Sequence, residues 1–142
     1  MPEAPQLSVS GLNHLTLAVA ELDRSLAFYV DLLGCDLVAR WKQGAYLECG
    51  NLWLCLSVGT VSNRADYTHF ALSVDAGSMA NWRVALDKAC VPHWKVNTSE
   101  GDSVYIRDPD GHQLELHAGS LATRLKALEQ NPYDEMKYRW RS

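Results

Sequence analysis

Two stretches of the chain alternate apolar and polar residues in the same order. His14-Leu15-Thr16-Leu17-Ala18-Val19 and His69-Phe70-Ala71-Leu72-Ser73-Val74 both read His-apolar-x-Leu-x-Val, 55 residues apart. Period-two alternation predicts a strand with one face on a core, so His14 shares a face with Thr16 and Ala18, opposite Leu15, Leu17 and Val19. The period then lengthens. Leu22, Leu26, Tyr29 and Leu33 recur at helical spacing, and Gly34 supplies a stop. In the second copy Met79, Trp82, Leu86 and Ala89 do the same, with Pro92 just beyond. Three short strand-like stretches follow each helix, about 36–41, 45–49 and 52–58, then about 94–97, 103–107 and 113–118. Asp108-Pro109-Asp110-Gly111 has the composition of a tight reversal. The stretch 120–130, with Leu121, Leu125 and Leu128, reads as an amphipathic helix.

The pattern therefore predicts an α+β fold made of one βαβββ unit used twice. The first module runs over residues 9–62 and the second over 63–119, with a C-terminal helix and tail over 120–142. A chain of 142 residues can bury a core without covalent staples. A net charge of −4 weighs against non-specific nucleic-acid binding, which normally needs a basic surface. No apolar run approaches the roughly 18 residues of a membrane span. The first ten residues lack the basic and apolar regions of a signal peptide, so the expected location is the cytoplasm, away from any membrane. Cys35, Cys49, Cys55 and Cys90 form no CxxC pair, and the expectation is free thiols in a reducing compartment.

The repeat also groups the candidate chemistry. If the modules pair about a pseudo-twofold axis, His14 and His69 converge across it. The closing strands also align, Leu52-Trp53-Leu54-Cys55 against Leu114-Glu115-Leu116-His117, which puts Glu115 in the slot that Trp53 fills in the first copy. Two histidines and a carboxylate suit Mn(II), Fe(II) or Zn(II), with coordination positions left open for substrate or water. His117, two residues on and on the same face, is the rival ligand. His93 and His112 fall in expected turns.

These residues resemble the vicinal oxygen chelate superfamily, which pairs βαβββ modules around a metal. Within it the chain is similar to the fosfomycin-resistance glutathione transferases. The stretches that carry this are Gly11–Val19, Gln43–Glu48, Leu52–Ser57, Asp66–His69, Ser99–Ser103, Asp108–His112 and Pro132-Tyr133. The resemblance implies Mn(II) on His14, His69 and Glu115, and a potassium ion on Ser99, Glu100 and Ser103. It implies opening of the fosfomycin epoxide by the glutathione thiol, with Tyr46, Thr16 and Arg124 catalytic. Thr16, Trp53, Tyr67, Lys95, Ser99, Tyr105, Arg124 and Tyr133 fall at its substrate positions, and Trp41, Gln43, Tyr46 and Ser57 at its glutathione positions. It further implies a domain-swapped homodimer, with His14 on one subunit and His69 and Glu115 on the other. Thr98 departs from members that carry a cation there.

Two other readings stay open. One is a related fosfomycin-modifying enzyme using another thiol or water. Lys42-Gln43-Gly44, where the hydrolytic relatives place a carboxylate base, argues against water. The other is a non-catalytic drug-binding resistance protein of the same superfamily, against which the retained His14, His69 and Glu115 argue.

Overall fold

A computed structural model describes residues 4, 6–98 and 100–138. The chain divides into two compact units that part between Ser62 and Asn63. In the first, β1 (His14–Val19) is followed by α1 (Leu22–Leu26), a π-helical continuation (Ala27–Leu32), and the strands β2 (Asp36–Trp41), β3 (Gly44–Cys49) and β4 (Leu52–Val58). In the second, β5 (Phe70–Ser73) leads through a short 3-10 turn into α2 (Met79–Lys88), β6 (His93–Lys95), β7 (Asp102–Arg107), β8 (Gln113–Ala118) and the terminal α3 (Leu121–Leu128). The strand orders are β1-β4-β3-β2 and β5-β8-β7-β6. In each sheet the first pair is parallel and the others antiparallel. Among the described residues no helix is long and apolar enough to cross a membrane.

One face of each sheet is closed by its helix. Val19, Ala45, Leu47, Leu54 and Leu56 are buried in the first unit, and Ile106, Leu114, Leu116, Leu86 and Met79 in the second. The opposite faces carry the polar set, as period two requires. The π turn is one departure from simple helical spacing. The Leu33 N–H donates to the Phe28 carbonyl at 3.0 Å, an i→i+5 bond that brings Phe28 inside beside Tyr29. Gly34 (φ 81) then ends the helix in the left-handed region.

Several expectations need correction. His69 precedes β5 instead of opening it, and His93 opens β6 instead of lying in a turn. On α3 the inward face runs through Arg124 and Leu128, whereas Leu121 is 74% exposed. The closing strands align with a shift of two residues from the expected match. Thr16 faces Cys55 across β1–β4 and Ala71 faces Glu115 across β5–β8; Tyr46 pairs with Cys55 and Tyr105 with Glu115. The residue equivalent to Glu115 is thus Cys55, not Trp53. A two-residue slip keeps every side chain on its face, so a Leu-x-Leu pattern cannot resolve it.

Two cysteines are also not free. Cys35 and Cys49 form a disulfide, while Cys55 is buried and Cys90 exposed as thiols. The cause is register: Asp36 pairs with Glu48, so the residues just outside that pair meet at a Cα–Cα distance of 4.5 Å. Alkylation of denatured, unreduced protein should therefore label two of the four cysteines, counted by mass. Cys35→Ser with Cys49→Ser should lower urea-unfolding stability by about 3 kcal/mol, the magnitude expected for a loop of this size.

Candidate metal and anion site

On the open face of the first sheet, His14 stands at the start of β1 opposite Trp53. Its ring lies 4.5 Å from that indole; Trp53 meets Tyr46 edge-on at 5.3 Å, and Tyr46 meets Trp41 at 4.7 Å. Gly44 makes room for this ladder, because a Cβ there would lie 2.7 Å from the Trp41 ring and 2.6 Å from the Leu56 carbonyl oxygen. Thr16 and Ser57 share the face, and the Gln43 carbonyl anchors the β2–β3 turn by accepting from the Val58 N–H. His14 Nδ1 bonds the Asn13 side-chain oxygen at 2.7 Å. An amide oxygen only accepts, so the ring proton sits on Nδ1 and the Nε2 lone pair is free to ligate.

The second unit repeats that arrangement with different atoms. His69 Nδ1 donates to the Tyr67 carbonyl at 2.8 Å, which turns Nε2 toward Glu115 on β8. The loop bearing His69 is tied down from β8: Gln113 Nε2 donates to the Asp66 and Thr68 carbonyls at 2.8 and 3.2 Å. Asp66 in turn accepts the Thr68 N–H and the Arg64 guanidinium, and these bonds hold its carboxyl well below the usual carboxylate range. Tyr67 stacks on His69, and Trp94 braces the ring from the side while its Nε1 donates to the Leu114 carbonyl.

Thus aimed, His69 Nε2 lies 3.0 Å from Glu115 Oε1. Two donors each about 2.1 Å from one ion and at right angles around it would be about 3.0 Å apart, so the pair fits a divalent cation. Among the described residues no group of three His, Cys, Asp or Glu is placed to hold a metal; His69 and Glu115 offer two donors. Glu115 is 6% exposed, and its other oxygen accepts from Ser103 Oγ at 2.7 Å. His117, the rival ligand, has its Nδ1 on Ser103 Oγ and Glu115 Oε2.

Beside this pair opens a cavity of about 590 Å³. Lys95 and Arg124 supply its positive charge, and Tyr67, Tyr105, Tyr133 and Glu100 also line it. The Lys95 ammonium donates to the Tyr67 hydroxyl and sits 4.4 and 4.8 Å from the Tyr67 and Tyr105 ring centres. That hydrogen bond, chiefly, raises its pKa above the ordinary lysine value. Arg124 donates to the Glu100 carboxylate at 3.1 Å and to its carbonyl at 3.3 Å. Burial alone would lower the Arg124 pKa, but the bonds to Glu100 and Tyr133 outweigh it and the net shift is upward. Two like-charged groups facing one cavity, each kept cationic, make a receptor for an anion with several oxygens.

Of the three residues expected to hold potassium, Ser99 lies outside the described residues. The Glu100 carboxylate accepts from Arg124, and the Ser103 hydroxyl donates to Glu115. Asn13, Gln113 and the Ser103–His117 pair join the site through contacts that the sequence does not announce. A signal existed for the last two, since Gln113, Glu115 and His117 form a polar stripe alternating with Leu114 and Leu116 on a buried strand.

The family model of the Glyoxalase/Bleomycin resistance protein/Dioxygenase superfamily matches residues 11–116. The chain is 48% identical over 135 residues to glutathione transferase FosA of Serratia marcescens, covering 92% of this chain and 96% of that one. It is 34% identical to metallothiol transferase FosB of Staphylococcus epidermidis, covering 82% and 89%. Among solved structures, the fosfomycin resistance protein FosX of Listeria monocytogenes with Mn(II) and sulfate superposes with a TM-score of 0.75 at 28% identity, covering 84% and 98%. A polar face that offers histidine and carboxylate donors next to a cationic cavity, on a twice-used βαβββ unit, accords with these relatives: the chain belongs to the Glyoxalase/Bleomycin resistance protein/Dioxygenase superfamily and, within it, to the FosA type.

Proposed function

We propose that the protein is a fosfomycin:glutathione transferase that depends on Mn(II) and K+. The observation that carries this is the His69–Glu115 pair beside the Lys95–Arg124 cavity, in a chain 48% identical to a glutathione transferase FosA. His14, His69 and Glu115 would hold the divalent ion. The ion would supply Lewis-acid stabilisation to the epoxide oxygen as that oxygen gains charge. Lys95 and Arg124 bind the phosphonate, with Thr16, Tyr105, Tyr133 and Ser99 as further donors. Trp53 and Tyr67 wall the reacting carbon. Trp41, Gln43, Tyr46 and Ser57 line the approach of glutathione.

A free thiol titrates near pKa 8.5, so it needs a partner at neutral pH. The Tyr46 hydroxyl, on an exposed part of the aromatic ladder, is the group we assign to it. Potassium near Ser99, Glu100 and Ser103 would add positive charge beside the anion. Such an ion would compete with Arg124 for Glu100 and release the guanidinium toward substrate. The proposed assembly is a homodimer in which His14 comes from one subunit and His69 with Glu115 from the other. Glutathione as co-substrate supports a cytoplasmic location; the Cys35–Cys49 disulfide weighs the other way.

The FosB relatives support a second reading, a different thiol on the same drug. Incubating the Mn(II)-loaded protein and fosfomycin with glutathione, cysteine or neither separates the cases by product mass. We expect the glutathione adduct; a diol formed without thiol would overturn the assignment. Subunit sharing has its own test. His14→Ala and Glu115→Ala should each abolish activity, and mixing the two after reversible dissociation should restore part of it. Mixing would restore nothing if each site came from one chain.

Arg124→Ala should raise the KM for fosfomycin roughly 10- to 100-fold, the worth of a charged hydrogen-bond pair. Tyr67→Phe removes the bond that raises Lys95. Because the cation is the binding form, fosfomycin affinity in that variant should fail at a lower alkaline pH than in the native protein. A pH series of KM reads the difference.

A further inference from the structure

Glu115 has two oxygens, and only Oε1 faces His69. The other is held by a chain of groups whose proton order follows from valence. Ser103 Oγ has one proton and gives it to Glu115 Oε2 at 2.7 Å. Its 2.5 Å contact with His117 Nδ1 must then run the other way, with the imidazole N–H donating to the hydroxyl oxygen. The sequence of donors is His117 Nδ1–H to Ser103 Oγ–H to Glu115 Oε2. His117 Nδ1 also lies 3.3 Å from that same carboxylate oxygen.

The imidazole is seated by backbone on two sides. A Cβ on Gly101 (φ +77) would lie 2.9 Å from its Cε1, and one on Gly119 (φ +157) 2.7 Å from its Nε2. Side chains at either place would expel the ring, so the slot exists because both flanking turns are glycine. Register completes the arrangement. Ser103 pairs with His117 and Tyr105 with Glu115 across β7–β8, which stacks the three polar groups along one strip of the sheet. Ser103 is 3% exposed, so water does not compete for its hydroxyl.

We propose that Ser103 and His117 are positioning residues that hold Glu115 as a one-oxygen metal ligand. With Oε2 occupied, the carboxylate cannot swing to chelate through both oxygens, and one more coordination place is left for substrate. The role differs from ligation of potassium by Ser103, and it rests on Glu115 being a ligand.

The test is Mn(II) affinity of the native chain and its variants, read from the free-ion electron paramagnetic resonance signal, with Na+ as the monovalent cation and again with K+. Ser103→Ala and His117→Phe should each weaken Mn(II) about 10- to 100-fold, the loss typical when a ligand's orienting partner is removed. Ser103→Thr, which keeps the hydroxyl, and His117→Asn, which can place an N–H near the Nδ1 position, should recover most of it. Thermal unfolding in chelator, compared between each variant and its conservative partner, keeps a folding defect separate from a lost hydrogen bond. Native affinity in Ser103→Ala and His117→Phe overturns the proposal, as does a loss in Ser103→Ala that appears only with K+. Glu115→Gln is the separate control: if it binds Mn(II) like the native chain, the ligand assignment itself fails, whatever the other variants do.

Discussion

A carboxylate buried in a β-sheet must have both oxygens accompanied, since an ionised group without partners in a low-dielectric interior is costly by several kcal/mol. Glu115 meets that condition with His69 on one side and the Ser103–His117 pair on the other. Much of the second unit can be read as serving this. The β7–β8 register delivers Ser103 and His117 to the correct strip, and Gly101 and Gly119 clear space for the imidazole. Gln113, from the same strand, reaches back to hold the loop that carries His69. The carboxylate is thus oriented before any ion arrives, and an ion entering between Oε1 and Nε2 meets donors already at the spacing it needs.

The cationic cavity follows a related logic. Neither Lys95 nor Arg124 faces it without a partner: one is on a phenol and the other on a carboxylate. Their partners differ in consequence. The Tyr67 hydroxyl can go on supporting the ammonium when an anion binds, whereas Glu100 is itself negative and would oppose one. Arg124 must therefore exchange or share its partner on binding, and Lys95 need not. Under the proposed function that asymmetry makes the Glu100 loop the part of the site most responsive to other cations.

The first unit shows the same strand geometry used for a different end. Where β8 carries Glu115, β4 carries Cys55, and the face around it is aromatic, with Trp41, Tyr46 and Trp53 in edge contact. Both histidines are presented alike, each with Nδ1 on an oxygen acceptor, and in the second unit Nε2 meets Glu115 Oε1. The duplicated unit thus keeps the histidine and varies what surrounds it.

Alternation and helical spacing are sufficient to read the element order and to put His14 and Glu115 each on the polar face of its own sheet, because each depends only on residues a few positions apart. The cavity residues Lys95, Tyr105 and Arg124 were legible through resemblance, not through pattern, since a charged residue on a terminal helix looks the same whether it meets solvent or a pocket. Tertiary structure alone decided the rest. The equivalence of Glu115 with Cys55, the meeting of Cys35 with Cys49 and the seating of His117 between Gly101 and Gly119 all depend on strand register. A period-two pattern is unchanged by a slip of two residues, so register is settled by packing and turn geometry between distant segments and leaves no local trace in the chain.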